Sequence, residues 1–168
     1  TTTDRFIGVQ GDAGTGKTTM LKAVKAITDA ANLSILGLSP TKDAALVLEE
    51  KAGINSMTVH QFLLSDTLTP KMIIVDESSM LGSQSMLDLM QVAIKKHIRV
   101  VFIGDTKQLS AVEAGKPFHL LQRSGMSTAI MREVLRQKHG SDLRQAVDFV
   151  KAKNADEALR YVNVIEQD

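Results

Sequence analysis

Gly11-Asp12-Ala13-Gly14-Thr15-Gly16-Lys17-Thr18-Thr19 stands between an apolar run and a segment of helical periodicity. The spacing G-x-x-x-x-G-K-[ST] is filled at every fixed position, by Gly11, Gly16, Lys17 and Thr18. Gly11, Gly14 and Gly16 let the backbone come close to a ligand without Cβ clashes, so that the amides from Asp12 to Thr19 can curl into an anion-binding nest. The positive end of the following helix lies behind that nest. Lys17 supplies a mobile charge for the β and γ phosphates of a nucleotide, and the Thr18 hydroxyl is a ligand for Mg²⁺. The plainer reading is a glycine-rich turn from strand to helix. The apolar strand Phe6-Ile7-Gly8-Val9 before it and the amphipathic segment from Thr18 to Ala31 after it favour the phosphate site.

Met20, Leu21, Val24 and Ile27 recur at helical spacing, with Lys22, Lys25 and Asp29 between them. Ser34-Ile35-Leu36-Gly37-Leu38 follows as a buried strand, giving a strand-helix-strand unit that requires parallel pairing. Further strands are expected at Met72–Val75, Arg99–Ile103 and Thr128–Met131, the last as a fifth core strand. Helices are expected at Asp43–Ala52, Thr58–Leu63, Ser83–Lys96 and Gly115–Leu121, with two more around Leu143–Val150 and Ala155–Tyr161 and a short strand at Val162–Ile165. This alternation predicts an α/β fold, a mostly parallel central sheet with helices on both faces.

Three strand ends carry polar clusters. Asp76-Glu77 ends the run Met72-Ile73-Ile74-Val75 and puts two carboxylates at the sheet edge that also holds the phosphate loop. There Asp76 can hold Mg²⁺ and Glu77 can orient and deprotonate an attacking water; the plain alternative is an acidic turn before a helix capped by Ser79 or Ser83. Gln108, after Gly104-Asp105, has a carboxamide able to sense a γ-phosphate, and Arg136 could reach the same group as a planar cation. Ser39-Pro40-Thr41-Lys42 offers two hydroxyls and an ammonium, although Thr41 also suits a helix cap. Thr58 is a natural N-cap, and His60 by itself reads as a packed or hydrogen-bonding residue.

Composition narrows the class. The 168 residues suffice for one domain with a real core, and no apolar run is long enough to cross a bilayer, so a soluble globular domain is expected. Without cysteine there are no disulfides, thiolate metal sites or cysteine nucleophiles, which fits a cytoplasmic protein. A net charge of +1 gives no global sign of nucleic-acid binding, and a single Tyr with no Trp leaves little for base stacking, so any DNA contact should run through the backbone. A chain beginning Thr1-Thr2-Thr3 without Met leads us to expect a segment of a longer polypeptide.

The ordered set GDAGTGKTT, SPTK, TVHQF, IIVDESSM, GDTKQL and VLRQ resembles the successive motifs of superfamily-one DNA helicases of the RecD-like branch. QGDAGTGKTTMLKAV, together with IMREVLRQ and the later LRQAVDF, is most similar to the helicase part of conjugative relaxase-helicases of the TraI and TrwC type. The resemblance implies a RecA-like P-loop NTPase domain over residues 1–168, the first motor domain, using ATP and Mg²⁺ to move 5′ to 3′ along single-stranded DNA. It implies that Gly14, Gly16, Lys17 and Thr18 bind phosphate and metal, and that Asp76 and Glu77 serve Mg²⁺ and water. It gives Gln108 and Arg136 roles at the γ-phosphate, and it makes Ser39, Pro40, Thr41, Lys42, Thr58, His60 and Gln61 DNA contacts. The family's second RecA-like domain is the expected partner for the other half of the cleft, so this domain alone should be weakly active or inactive. The connection from Phe62 to Met72 is shorter than is usual in the family. Alternatives are the motor of a RecD-type exonuclease or repair helicase, a non-catalytic nucleotide-binding module, and a small P-loop kinase, for which no arginine-rich lid segment is visible.

Overall fold

A computed structural model describes residues 3–11, 15–106 and 115–131. The elements in chain order are β1 (Phe6–Gly11), α1 (Lys17–Ala30), β2 (Ile35–Ser39), α2 (Lys42–Ala52), β3 (Ser56–Thr58), α3 (Val59–Leu63) and β4 (Met72–Val75). A single 3-10 turn at Ser78–Met80 follows, then α4 (Ser83–Lys95), β5 (Arg99–Gly104), α5 (Pro117–Arg123) and β6 (Thr128–Met131). The strands form one six-stranded sheet in the order β3-β2-β4-β5-β1-β6, and every pairing is parallel.

The two faces of the sheet are covered by different helices. Leu36, Leu38, Ile73, Val75, Val100 and Phe102 point to one side, where Phe62 of α3, Leu89 of α4 and Phe118 of α5 close over them. Ile74 and Ile103 point to the other side and meet Leu21 of α1 with Leu48 and Ala52 of α2. Phe62, Leu89 and Phe118 are at most 1% exposed. Burial of each such side chain contributes roughly 1.5–3 kcal/mol, which fixes the helices that carry the strand-end segments.

Three expectations need correction. β1 and β2 form no parallel pair, because β5 and β4 lie between them; the crossover through α1 skips two positions. Ser56–Thr58 is a strand on the edge of β2, too short to show any alternation in sequence. β6 is the sixth strand and, among the described residues, pairs only with β1, so Ala129 and Ile130 are exposed on an edge and not in the core. The expected helices and strand beyond Met131 lie outside the described residues.

Candidate nucleotide site

The site is built where strands end. Placing β5 between β1 and β4 separates the exit of the phosphate loop from the end of β4 by two strand spacings, roughly 9–10 Å. That gap is wide enough for a phosphate group with a water behind it. Gly16 begins α1 with φ 87°, in the left-handed region that glycine adopts without penalty. Lys17, the first residue of the helix, donates from Nζ to the Gly11 carbonyl at 2.6 Å, folding its side chain back over the loop. Thr18 is exposed beside it. Asp12, Ala13 and Gly14 lie outside the described residues, as do Gln108 and Arg136.

Across the gap, the Asp76 amide donates to the Leu38 carbonyl at 2.9 Å, which extends the sheet by one rung and fixes the start of the turn. Asp76 Oδ1 then accepts from the Glu77 amide at 3.0 Å. Glu77 has φ 52° and ψ 35°, a left-handed conformation that costs a β-carbon-bearing residue on the order of 1–2 kcal/mol. Such strain is held in place by what surrounds it. Here the next residue, Ser78, is buried and donates from Oγ to the Ile103 carbonyl at 2.8 Å, and the turn packs against Gly104. Neither Ser79 nor Ser83 caps α4, whose N-cap is Gly82 without a side-chain bond. The turn therefore does not do the capping that the plain reading gave it.

Lys17, Thr18, Asp76 and Glu77 line one cleft of about 160 Å³, with Leu21, Val47, Leu48, Lys51 and Ala52 as its other wall. Burial pushes the Asp76 carboxyl up from its ordinary value, against the Glu77 amide and the Lys17 and Lys51 charges, which pull it down. Glu77 is pushed up as well, first by burial and then by the charge of Asp76, with Asp105 adding to the rise and Lys17 opposing it. A carboxylate raised in this way is a better proton acceptor at neutral pH than a free one. Lys51 and Asp105 were not singled out in the sequence. Lys51 reaches the cleft only because α2 packs beside α1, and Asp105 stood in what looked like an ordinary Gly-Asp turn.

Oxygen donors from Thr18 and Asp76 in the same cleft suit a hard divalent cation such as Mg²⁺. No group of three or more His, Cys, Asp or Glu residues could hold a metal among the described residues. Mg²⁺ is commonly held by one or two protein oxygens together with substrate phosphates, which would supply the remaining ligands here.

None of the residues matched to DNA contacts lines this cleft. Thr41 caps α2, its Oγ1 accepting from the Ala44 amide at 3.2 Å, and both Thr41 and Lys42 are exposed. Pro40 is half-buried, whereas Ser39 is fully buried as the last residue of β2. Thr58 and Gln61 form a reciprocal capping box at the start of α3, which accounts for both residue types structurally, and His60 is exposed one residue before Gln61. Lys42 and Gln61 share a larger hollow of about 340 Å³ with Leu46, Met57 and Leu68. Gln10, at the end of β1, donates to Thr106 Oγ1 at 2.9 Å and accepts from Gln122 at 2.9 Å, tying the strand before the phosphate loop to the segment after β5 and to α5.

A parallel sheet with a lysine-bearing glycine loop at one strand end and an acidic turn two strands away defines a nucleotide-binding domain of RecA-like α/β fold. The chain belongs to the AAA domain family, whose model matches residues 1–165. It is 36% identical over 173 residues to the multifunctional conjugation protein TraI of Escherichia coli strain K12, covering 94% of this chain and 10% of that protein. It is 32% identical to the conjugal transfer protein TraA of Rhizobium radiobacter, covering 92% of this chain and 14% of the other. The ATP-dependent RecD2 DNA helicase of Deinococcus radiodurans is 35% identical, over 84% of this chain and 21% of its own length. Among solved structures, the complex of Arterivirus nonstructural protein 10 (helicase) with DNA superposes with a TM-score of 0.52 at 18% identity, over 75% of this chain and 35% of that one. That likeness bears on the fold alone. The chain spans between about a tenth and a fifth of the length of these curated relatives. Among the described residues, no helix is long and apolar enough to cross a membrane.

Proposed function

We propose that this chain is the first motor domain of an ATP-driven helicase that moves 5′ to 3′ on single-stranded DNA, of the conjugative relaxase-helicase kind. The observation that carries the reading is the gathering of Lys17, Thr18, Asp76 and Glu77 into one cleft of about 160 Å³. The TraI and TraA relatives support the conjugative assignment.

In this reading the loop from Gly11 to Thr19 cradles the phosphates and Lys17 leaves the Gly11 carbonyl to neutralise the β and γ groups. Thr18 and Asp76 would hold Mg²⁺, which when bound would lower the cost of charge building up on the phosphoryl oxygens. Glu77 orients the attacking water and takes its proton. Gln108 and Arg136 act at the γ-phosphate, and a second RecA-like domain supplies the facing wall. Pro40, Thr41, Lys42, Thr58, His60 and Gln61 form the track, touching phosphate and sugar, with Ser39 matched to the same motif. A non-catalytic module would have no need of a strained, raised carboxylate like Glu77 beside the phosphate site.

The test is ATP turnover by the protein in its longest native form, with and without single-stranded DNA, over a range of salt. Turnover should require Mg²⁺, rise with DNA, and lose that stimulation as salt rises, because phosphate contacts release counterions. Turnover that DNA never stimulates at any salt would turn the assignment toward a phosphotransferase or a binding module.

A further inference from the structure

Ser39 was matched to a DNA-contacting motif, yet it has 0% exposure, and its Oγ has no hydrogen-bond partner among the described residues. Buried hydroxyls are ordinarily paired, and an orphan calls for a reason. Its place in the sheet supplies one. Leu38 is in register with Val75, and the Asp76 amide bonds the Leu38 carbonyl, so Ser39 is the cross-strand neighbour of Asp76. Side chains alternate along each strand. Leu36, Leu38, Ile73 and Val75 face α3 and α4, whereas Ile74 faces α1 and α2. Ser39 and Asp76 therefore both face the α1–α2 side, on which Asp76 lines the cleft. Neighbouring parallel strands lie about 4.8 Å apart, within reach of a hydroxyl and a carboxylate that turn toward one another.

We infer that Ser39 is a positioning residue for Asp76: its hydroxyl donates to the Asp76 carboxylate, or to a water held by it, when a divalent cation and nucleotide enter the cleft. The Asp76 carboxylate already accepts from the Glu77 amide through Oδ1. A second donor from β2 fixes the plane of the carboxylate, as hydrogen bonds to metal-holding carboxylates do elsewhere. Pro40, Thr41 and Lys42 remain available to the surface, and Ser39 stands beneath them as part of the nucleotide site. The inference rests on Asp76 acting as the cation's carboxylate.

Ser39→Ala in the full chain removes the hydroxyl and leaves no cavity. Binding of a fluorescent ATP analogue is followed against Mg²⁺ concentration, and bound Mn²⁺ is read by its electron paramagnetic resonance spectrum. The Mg²⁺ concentration for half-maximal binding should rise about ten- to a hundredfold, the worth of one hydrogen bond to a charged group. The Mn²⁺ spectrum should broaden, while single-stranded DNA affinity and the melting midpoint in the absence of ligand do not fall. An unchanged Mg²⁺ requirement overturns the inference, as does weaker DNA binding with unchanged metal dependence, which would return Ser39 to the track. A lower midpoint without ligand also overturns it, since Oγ would then have a structural partner. If the wild type itself binds the analogue without regard to Mg²⁺, the reading of the cleft fails first and takes the role of Ser39 with it.

Discussion

Gly104 is where fold and chemistry meet most tightly. It ends β5 and is buried under the turn that carries Glu77. A β-carbon at this position would stand 2.9 Å from Ser78 Oγ, 3.0 Å from the Ser79 amide nitrogen and 3.1 Å from Phe118 Cε1. The hydroxyl cannot simply rotate away, because it bonds the Ile103 carbonyl at 2.8 Å, and the amide is backbone. Gly104→Ala must therefore push the turn outward by a few tenths of an ångström or break that buried hydrogen bond. Overpacking of this kind costs about 2 kcal/mol, and each kcal/mol lowers the melting midpoint of a domain this size by roughly 2–4 °C. We expect a fall of roughly 4–8 °C by circular dichroism. The displaced turn takes Glu77 with it. Since a misplacement near 1 Å can cost about a hundredfold in rate, a smaller shift should lower DNA-stimulated ATP turnover on the order of tenfold. An unchanged midpoint together with unchanged turnover refutes the packing argument.

Asp76→Asn should raise the melting midpoint at neutral pH while abolishing Mg²⁺-dependent nucleotide binding. Burial lifts the folded carboxyl above its unfolded value near 3.8. Below that value both states are neutral and the wild type suffers no penalty. Between that value and the raised folded one the unfolded carboxyl ionises while the folded one resists, so the advantage of the variant grows with pH across that interval and levels off above it. Melts at a series of pH values check the sign, and a gap that widens toward acid would contradict it. Thr58→Ala removes the hydroxyl that accepts from the Gln61 amide and leaves the other half of the capping box, the residue-58 amide donating to Gln61 Oε1, at about 1 kcal/mol, or roughly 2–4 °C in the melt. A loss of DNA affinity larger than the stability change explains would assign the hydroxyl to the track as well.

Much of this was legible in the sequence because the relevant signals are local. The glycine loop, the apolar run ending in Asp76-Glu77 and the helical spacing of Met20, Leu21 and Val24 each depend on residues close together in the chain. Strand order was not legible: nothing local says that β5 slides between β1 and β4 and opens the gap across which Lys17 and Glu77 face one another. Ser56–Thr58 was missed because three residues carry no period. Lys51 carries no local sign of the cleft, because its place there depends on α2 packing against α1. Ser39 looked like surface for a related reason. Its exposure is set by β3 and β4 on either side of it, which come from later in the chain.

The most direct test of the cleft as a hydrolytic site is Glu77→Gln in the longest native form of the protein, with single-stranded DNA present. ATP binding and its Mg²⁺ requirement should stay as in the wild type, because the carboxamide keeps the size of the side chain. Turnover should fall by about 10²–10⁴-fold, the usual worth of a general base. Turnover at the wild-type rate would contradict the account, since the strained carboxylate facing Lys17 would then have no part in the chemistry.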